Sequence, residues 1–278
     1  MVSKYEAFER VLHGRTDDFS LEDASDSVKK RIAYAFGWNR ELDEPSRQKW
    51  SSTDNEEAWK GNVKFKRDVL EKEGWFDTEV YYDLNSHGYR DDEFVSSPDS
   101  IIAIGECFTY GTGIPREMTW PYLLGEELNE KVWNLGLCMT GLDTCFRTLY
   151  NWLPVIKPKM VLLLENSSLG REVWSVDESG KEEWNDAIGF WSSVEWQKEL
   201  VNSSTERFIS RQKNLLAVSQ LCSINNVELK IISASERNAV GLADYAKNKH
   251  KKYALSRDLI HPGLPFHEAM VELWKKEL

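Results

Sequence analysis

The stretch Ile101-Ile-Ala-Ile-Gly-Glu-Cys107-Phe-Thr-Tyr-Gly-Thr-Gly113 decides the fold. Four apolar residues run into a glycine, then into a small nucleophilic side chain, and turn-forming residues follow at once. That order is expected of a buried parallel strand that ends in a tight turn and offers one reactive atom at the carboxyl edge of its sheet. Far downstream, Asp258-Leu-Ile-His261-Pro262 sets a carboxylate three residues ahead of an imidazole. A nucleophile, a base and an orienting acid are the parts that acyl transfer needs.

Outward from Cys107, the chain after Pro98 alternates short apolar runs with helical patterns. The runs are Ile101–Ile104, Val132–Leu135, Met160–Leu164 and Leu229–Ile232. Between them the spacing predicts helices over Trp120–Leu128, Asp143–Leu153 and Thr205–Cys222. In the last of these Phe208, Ile209, Leu215, Leu216 and Leu221 fall at roughly helical spacing. A closing helix is expected over Pro265–Leu278, with Met270, Val271 and Trp274 on one face. Strands and helices of these lengths, joined by right-handed crossovers, make a parallel sheet covered on both sides. Before Ser97-Pro98 the pattern differs. Residues 1–60 are polar and helix-leaning, with apolar clusters such as Ile32–Phe36. Val80-Tyr-Tyr82 reads as a strand, followed by a turn at Asn85-Ser-His-Gly-Tyr-Arg90. The expected division is an α+β extension or cover over residues 1–98 and an α/β domain over residues 99–278.

A chain of 278 residues can bury one large core with a smaller appendage. Its net charge of -11 argues against a general nucleic-acid binder, which needs a basic face, and disfavours anionic membranes. No apolar run is long enough to span a bilayer and the amino terminus has no signal-peptide core, so a cytoplasmic protein is expected. A component carried on a viral particle would look the same. The cysteines at 107, 138, 145 and 222 lack zinc or thioredoxin spacing. Free thiols are the expectation, with a Cys138–Cys145 disulfide the lesser alternative. Most of the twelve Trp are expected in packing roles, with a carbohydrate-binding groove as the lesser reading.

Cys107 can be inert packing, as most free cysteines are. Its frame argues for reactivity, because a thiol where a strand gives way to a helix amino terminus meets exposed N–H groups that favour the thiolate. Asp258 and His261 lie in a loop ahead of the last helix, where an αβα domain delivers side chains to the carboxyl edge of its sheet. His267 reads as structural. His13, His87 and His250 read as surface or packing residues.

These blocks resemble the SGNH, or GDSL, hydrolase superfamily. Gly105-Glu-Cys-Phe-Thr-Tyr-Gly111 is similar to its Gly-Asp-Ser-(Phe/Leu)-Thr block, and Asp258-x-x-His261-Pro262 to its last block. Trp133-Asn-Leu-Gly-Leu-Cys-Met-Thr-Gly141 resembles its second block, and Asn85-Ser-x-Gly-Tyr-Arg90 a segment upstream of the nucleophile in longer members. The resemblance covers roughly residues 80–278. It implies a three-layer αβα sandwich and ester hydrolysis, often of acyl groups on carbohydrates or lipids. Cys107 stands where the family carries Ser, and Glu106 where it usually carries Asp. Gly141 matches the oxyanion-hole N–H, with Gly136 as the alternative. The third block, Gly-x-Asn-Asp in the family, reads Glu165-Asn166-Ser167-Ser168 here, so the side-chain oxyanion donor is Asn166 or Ser168. An Arg171-Glu172 pair follows, as in divergent members.

The expected function is thus an acylesterase with a Cys107-His261-Asp258 triad acting on a small-molecule or carbohydrate ester. O-acetylated carbohydrate is the preferred class, and no cofactor or metal is called for. The competing expectation is a silent protein that keeps the fold for glycan binding or for a structural role in an assembly.

Overall fold

The computed structural model of the chain describes residues 45–165, 170–176, 182–189, 195–233 and 254–278. The Ile32–Phe36 cluster, Trp38, His13 and His250 lie outside the described residues. Four parallel strands form the centre: β3 (Ile101–Gly105), β4 (Val132–Asn134), β5 (Met160–Glu165) and β8 (Glu228–Ser233), in the order β4-β3-β5-β8. Ile101 pairs with both Val132 and Met160, and Met160 with Glu228, so the strand starts are in register. Their carboxyl ends therefore finish at one edge.

β3 and β5 read as continuous apolar runs because both sheet faces are buried. On one face Ile101, Ala103, Leu162 and Leu164 pack under α4 (Trp120–Leu128) and α8 (Leu264–Glu277), through Trp120, Leu124, Phe266, Met270 and Trp274. On the other, Ile102, Ile104, Val161 and Leu163 pack under α5 (Leu142–Ile156) and α7 (Ser204–Ile224), through Leu149, Trp152, Leu153, Ile156, Val218 and Cys222. The fold is a three-layer αβα sandwich. Trp75, Trp120, Trp133, Trp152 and Trp274 are all buried, as packing residues. All four cysteines are free thiols.

Helix α7 turns differently from the expected face. Phe208, Ile209 and Leu216 are exposed, whereas Ser210, Val218 and Cys222 are buried. Only Leu215 and Leu221 of the expected set pack against the core. An antiparallel hairpin, β6 (Arg171–Val176) and β7 (Glu182–Ile188), follows β5, and α6 (Glu195–Asn202) precedes α7.

Residues 45–96 are α+β in character. β1 (Ser46–Gln48) pairs antiparallel with β2 (Tyr82–Leu84), and α1 (Glu56–Phe65) and α2 (Arg67–Lys72) lie between them. The strand expected at Val80–Tyr82 begins only at Tyr82. At that end the Val80 carbonyl accepts from Arg257 Nη1 and the Tyr81 carbonyl from Arg90 Nη2 in place of ladder bonds. Leu70, Trp75, Val80 and Tyr82 form a third apolar cluster with Tyr110, Ile114, Leu255 and Leu259. This segment is thus packed on two loops of the α/β domain, the one after Cys107 and the one holding Asp258. Among the described residues, no helix is long and apolar enough to cross a membrane.

Candidate active site

Cys107 is the first residue of α3 (Cys107–Tyr110), a single turn that starts two residues beyond the end of β3. The turn is this sharp because residue 105 is glycine. A Cβ there would stand 2.7 Å from the Leu164 carbonyl oxygen and would strike the Thr109 side chain, so any larger residue would push β3 away from β5. The chain after the turn is held by Arg90, which is fully buried. Its guanidinium donates to the carbonyls of Tyr110, Gly111, Ile114 and Tyr81, at 3.3, 2.6, 2.7 and 2.9 Å. The upstream Asn85–Arg90 block thereby shapes the loop that follows Cys107.

The segment after β4 runs alongside β3. Leu135 N donates to Ala103 O and Leu137 N to Gly105 O. Asn134 Nδ2 donates to Thr109 O at 2.9 Å, and its Oδ1 accepts from Gly136 N at 3.0 Å. The Gly136 N–H is therefore committed to Asn134. Gly141 caps α5, and a Cβ on it would run into Gly170, so the loops after β4 and β5 touch there. Asn166 and Ser168 lie outside the described residues.

Asp258 and His261 meet as the spacing anticipated. Asp258 Oδ2 lies 2.6 Å from His261 Nδ1. Asp258 Oδ1 accepts from Ser256 Oγ at 2.7 Å and from the backbone N–H groups of Ile260 and His261, both at 2.9 Å. Burial would raise the pKa of this carboxyl. The bonds from the His261 ring and backbone, with that of Thr53, override burial and hold it well below the usual carboxylate range. An ionised carboxylate can only accept, so the ring nitrogen facing it, Nδ1, carries a proton, and in the neutral tautomer Nε2 is the acceptor. The Phe108 ring stands edge-on to the imidazole with centroids 6.0 Å apart, which brings the residue after Cys107 against His261. Arg257 N also donates to Gly113 O at 2.9 Å, joining the two loops.

The thiol departs from expectation. A helix amino terminus was expected to favour the thiolate, yet Cys107 is pushed well above an ordinary cysteine. Burial is the main cause, and Cys138, Glu106 and Asp258 act in the same sense. A helix of one turn carries too little dipole to offset that burial. Cys107 rests as a neutral thiol.

His267 is structural, as its position suggested. It is 1% exposed, and its Nδ1 accepts from the Trp120 N–H at 3.1 Å. Thr119, the residue capping α4, spends its hydroxyl on the Arg116 carbonyl at 2.7 Å and makes no side-chain capping bond, so His267 serves as that cap. The Arg171-Glu172 pair is engaged in a charged layer beside α5. Glu172 accepts from Arg147 through Nε at 3.1 Å and Nη2 at 2.8 Å, while Arg171 Nη2 donates to Glu206 O at 3.1 Å. Glu165, the last residue of β5, is paired with Arg211.

Several residues at the site carry no local signal in the sequence. Asp54 and Arg257 form a buried bidentate pair, with Nε–Oδ1 at 3.0 Å and Nη2–Oδ2 at 2.6 Å. Tyr82 Oη donates to Asp54 Oδ2 at 2.6 Å and accepts from Gly113 N at 2.8 Å. Thr53 Oγ1 donates to Asp258 Oδ2 at 2.6 Å. A run of small polar residues such as Ser51-Ser-Thr-Asp54 signals a turn, and nothing in it points to a partner 200 positions away.

No family model matches the sequence, and no curated protein matches it. Among solved structures, the chain is similar to a protein described as a lipolytic member of the G-D-S-L family from Desulfitobacterium hafniense DCB-2. The TM-score is 0.42 at 17% identity, over 64% of this chain and 99% of that one. A family two carbohydrate esterase from Clostridium thermocellum, in complex with cellohexaose, gives 0.38 at 14% identity, over 66% and 64% of the two chains. A two-domain esterase active on acetylated mannans gives 0.32 at 14% identity, over 64% and 48%.

Proposed function

We propose that this chain is an SGNH-type ester hydrolase with Cys107 as nucleophile, His261 as general base and Asp258 as the orienting acid. The observation that carries the reading is the 2.6 Å Asp258–His261 pair, its carboxylate saturated with donors, in a loop bonded to the turn behind Cys107. A surface His–Asp contact needs no such construction.

Because the thiol rests protonated, attack and deprotonation are coupled. Cys107 Sγ bonds to the ester carbonyl carbon as its proton passes to His261 Nε2, and the carbonyl π pair moves onto oxygen. The backbone N–H groups of Cys107 and Gly141, with Asn166 or Ser168, are the proposed partners for that oxyanion. Gly136 is set aside because its N–H already serves Asn134. Collapse expels the alkoxide, which takes the proton from His261. Water then attacks the thioester with His261 again as base, releasing the carboxylic acid and restoring the thiol. Asp258 stabilises the imidazolium in both halves and stays ionised throughout. The substrate class proposed is a small acyl ester, O-acetylated carbohydrate first, which the superfamily resemblance implies.

The test is to trap the intermediate. Acid quenching during turnover of p-nitrophenyl acetate is expected to leave one acetyl group on Cys107, located by peptide mass spectrometry and absent from Cys107→Ala. An unlabelled Cys107 with hydrolysis equal to the Ala variant would refute the enzyme. It would favour the second reading, a silent SGNH-type protein, for which the elevated thiol pKa is the supporting observation.

A further inference from the structure

The turn Ser51–Asp54 touches both halves of the site from a segment outside the SGNH-like blocks. It is closed by reciprocal backbone bonds between Ser51 and Asp54, at 2.9 and 3.1 Å, with Ser52 in the left-handed region at φ 57°. Ser51 Oγ lies 3.0 Å from Tyr110 Oη, at the end of the Cys107 helix. Asp54 is locked to Arg257, the neighbour of Asp258. Thr53 stands between these anchors. Its hydroxyl is 2.6 Å from Asp258 Oδ2 and 3.3 Å from His261 Nδ1.

We infer that Thr53 is a positioning residue for the Asp258–His261 pair, supplied by the amino-terminal segment. A hydroxyl has one proton and two lone pairs. The proton goes to Asp258 Oδ2, which cannot donate, and a lone pair is left facing the ring N–H of His261. Oδ2 is therefore shared between two donors. Remove the hydroxyl and Oδ2 serves the imidazole alone, so the ring is drawn toward Asp258 and away from the thiol. Asp54 and Ser51 hold the Thr53 backbone fixed, so the hydroxyl acts as a stop of defined depth. Asn62, on α1, adds a bond from its Nδ2 to the Asp258 carbonyl at 3.1 Å, so the segment grips the loop at a second point.

The kinetic consequence rests on the hydrolase reading, whereas the geometric one does not, and the experiment keeps them apart. Thr53→Val preserves shape and removes the hydroxyl, and Thr53→Ser restores it. In substrate-free protein, the downfield proton NMR signal of the His261 ring N–H should move further downfield in the Val variant and return in the Ser variant. With p-nitrophenyl acetate, Thr53→Val should lower kcat about tenfold at nearly constant KM, the size expected for a displaced base, and Thr53→Ser should recover most of it. A signal that stays in place in Thr53→Val overturns the inference, whatever the activity. A signal that moves in a protein that never acylates Cys107 upholds the inference and refutes the hydrolase instead.

Discussion

Asp258→Asn should lower kcat for p-nitrophenyl acetate by about 10⁴-fold with the fold intact and KM nearly unchanged. The size follows from which way the new amide must face. Oδ1 accepts from three donors, Ser256 Oγ, Ile260 N and His261 N. An Asn must keep its oxygen there, because an NH₂ group would meet those donors head-on. Its nitrogen then occupies the place of Oδ2 and points at His261 Nδ1. The imidazole answers by offering a lone pair at Nδ1, which moves its proton to Nε2. A base with its proton on Nε2 cannot take the one from Cys107, and burial already holds the thiol neutral. Loss of the downfield ring N–H signal together with the loss of turnover is the expected pair of observations. A variant that keeps more than a tenth of wild-type kcat would show that Asp258 does not set the tautomer.

On the proposed reading, residues 45–84 act on the chemistry by geometry. The sandwich alone brings the ends of β3, β4, β5 and β8 to one edge, which is enough to place a turn and a loop near each other. It does not set the depth of the Asp258 loop. That depth comes from Asp54 and Tyr82 on Arg257 and Gly113, and from Trp75 Nε1, which donates to the Leu255 carbonyl at 2.5 Å. Breaking a buried ion pair such as Asp54–Arg257 by removing one partner typically costs about 3–5 kcal/mol. These links therefore act on the stability of the loop as well as on its position.

The parts that were legible in the sequence are those in which a short window settles the physics. A strand buried on both faces must be apolar throughout, so β3 and β5 were visible as runs, whereas β8, at the sheet edge, carries Lys230 and exposes Ile231. Spacing placed helices whose observed ends fall within a few residues of expectation. Asp258 and His261 are three residues apart, and one turn brings them together. What escaped depends on sums over distant segments. Phe208, Ile209 and Leu216 suggested the inner face of α7, yet the helix turns Ser210, which reaches Asp143 at 3.4 Å, toward the core. Polar partners on α5 outweighed apolar count. The Cys107 environment was missed for a related reason: burial, the main cause of the raised thiol, is set by the assembled loops, and Cys138 and Asp258 add to the neighbouring Glu106 from distant segments.

His267→Asn should change how stability depends on pH, and in a window that identifies the residue. Burial pushes the His267 pKa down to about 3, with the charges of Arg90 and His261 adding to the effect. In the unfolded chain it titrates near the model value of 6.5. Between these limits the unfolded state binds a proton that the folded state refuses, so folding stability falls as the pH drops from about 6.5 toward about 3. The loss accumulates at about 1.4 kcal/mol per pH unit, reaching about 3 kcal/mol by about pH 4. Asp258 also works against stability in acid, but its depressed folded pKa makes its contribution complete above the unfolded value of about 3.9 and lost only below it. The two windows barely overlap, so of these two groups only His267 acts on the limb above about pH 4. Asn is the informative replacement because its Oδ1 can accept the Trp120 N–H from nearly the position of Nδ1, while it has no proton to gain. At neutral pH the variant should be less stable by about 1–2 kcal/mol, from lost ring packing at a buried site of α8. Its acid limb should be flatter, so that urea-unfolding curves make the two proteins equal near about pH 5 and reverse their order below it. Parallel stability profiles between about pH 7 and pH 4 would mean that His267 is protonated in the folded protein, and its role as the neutral cap of α4 would then fail.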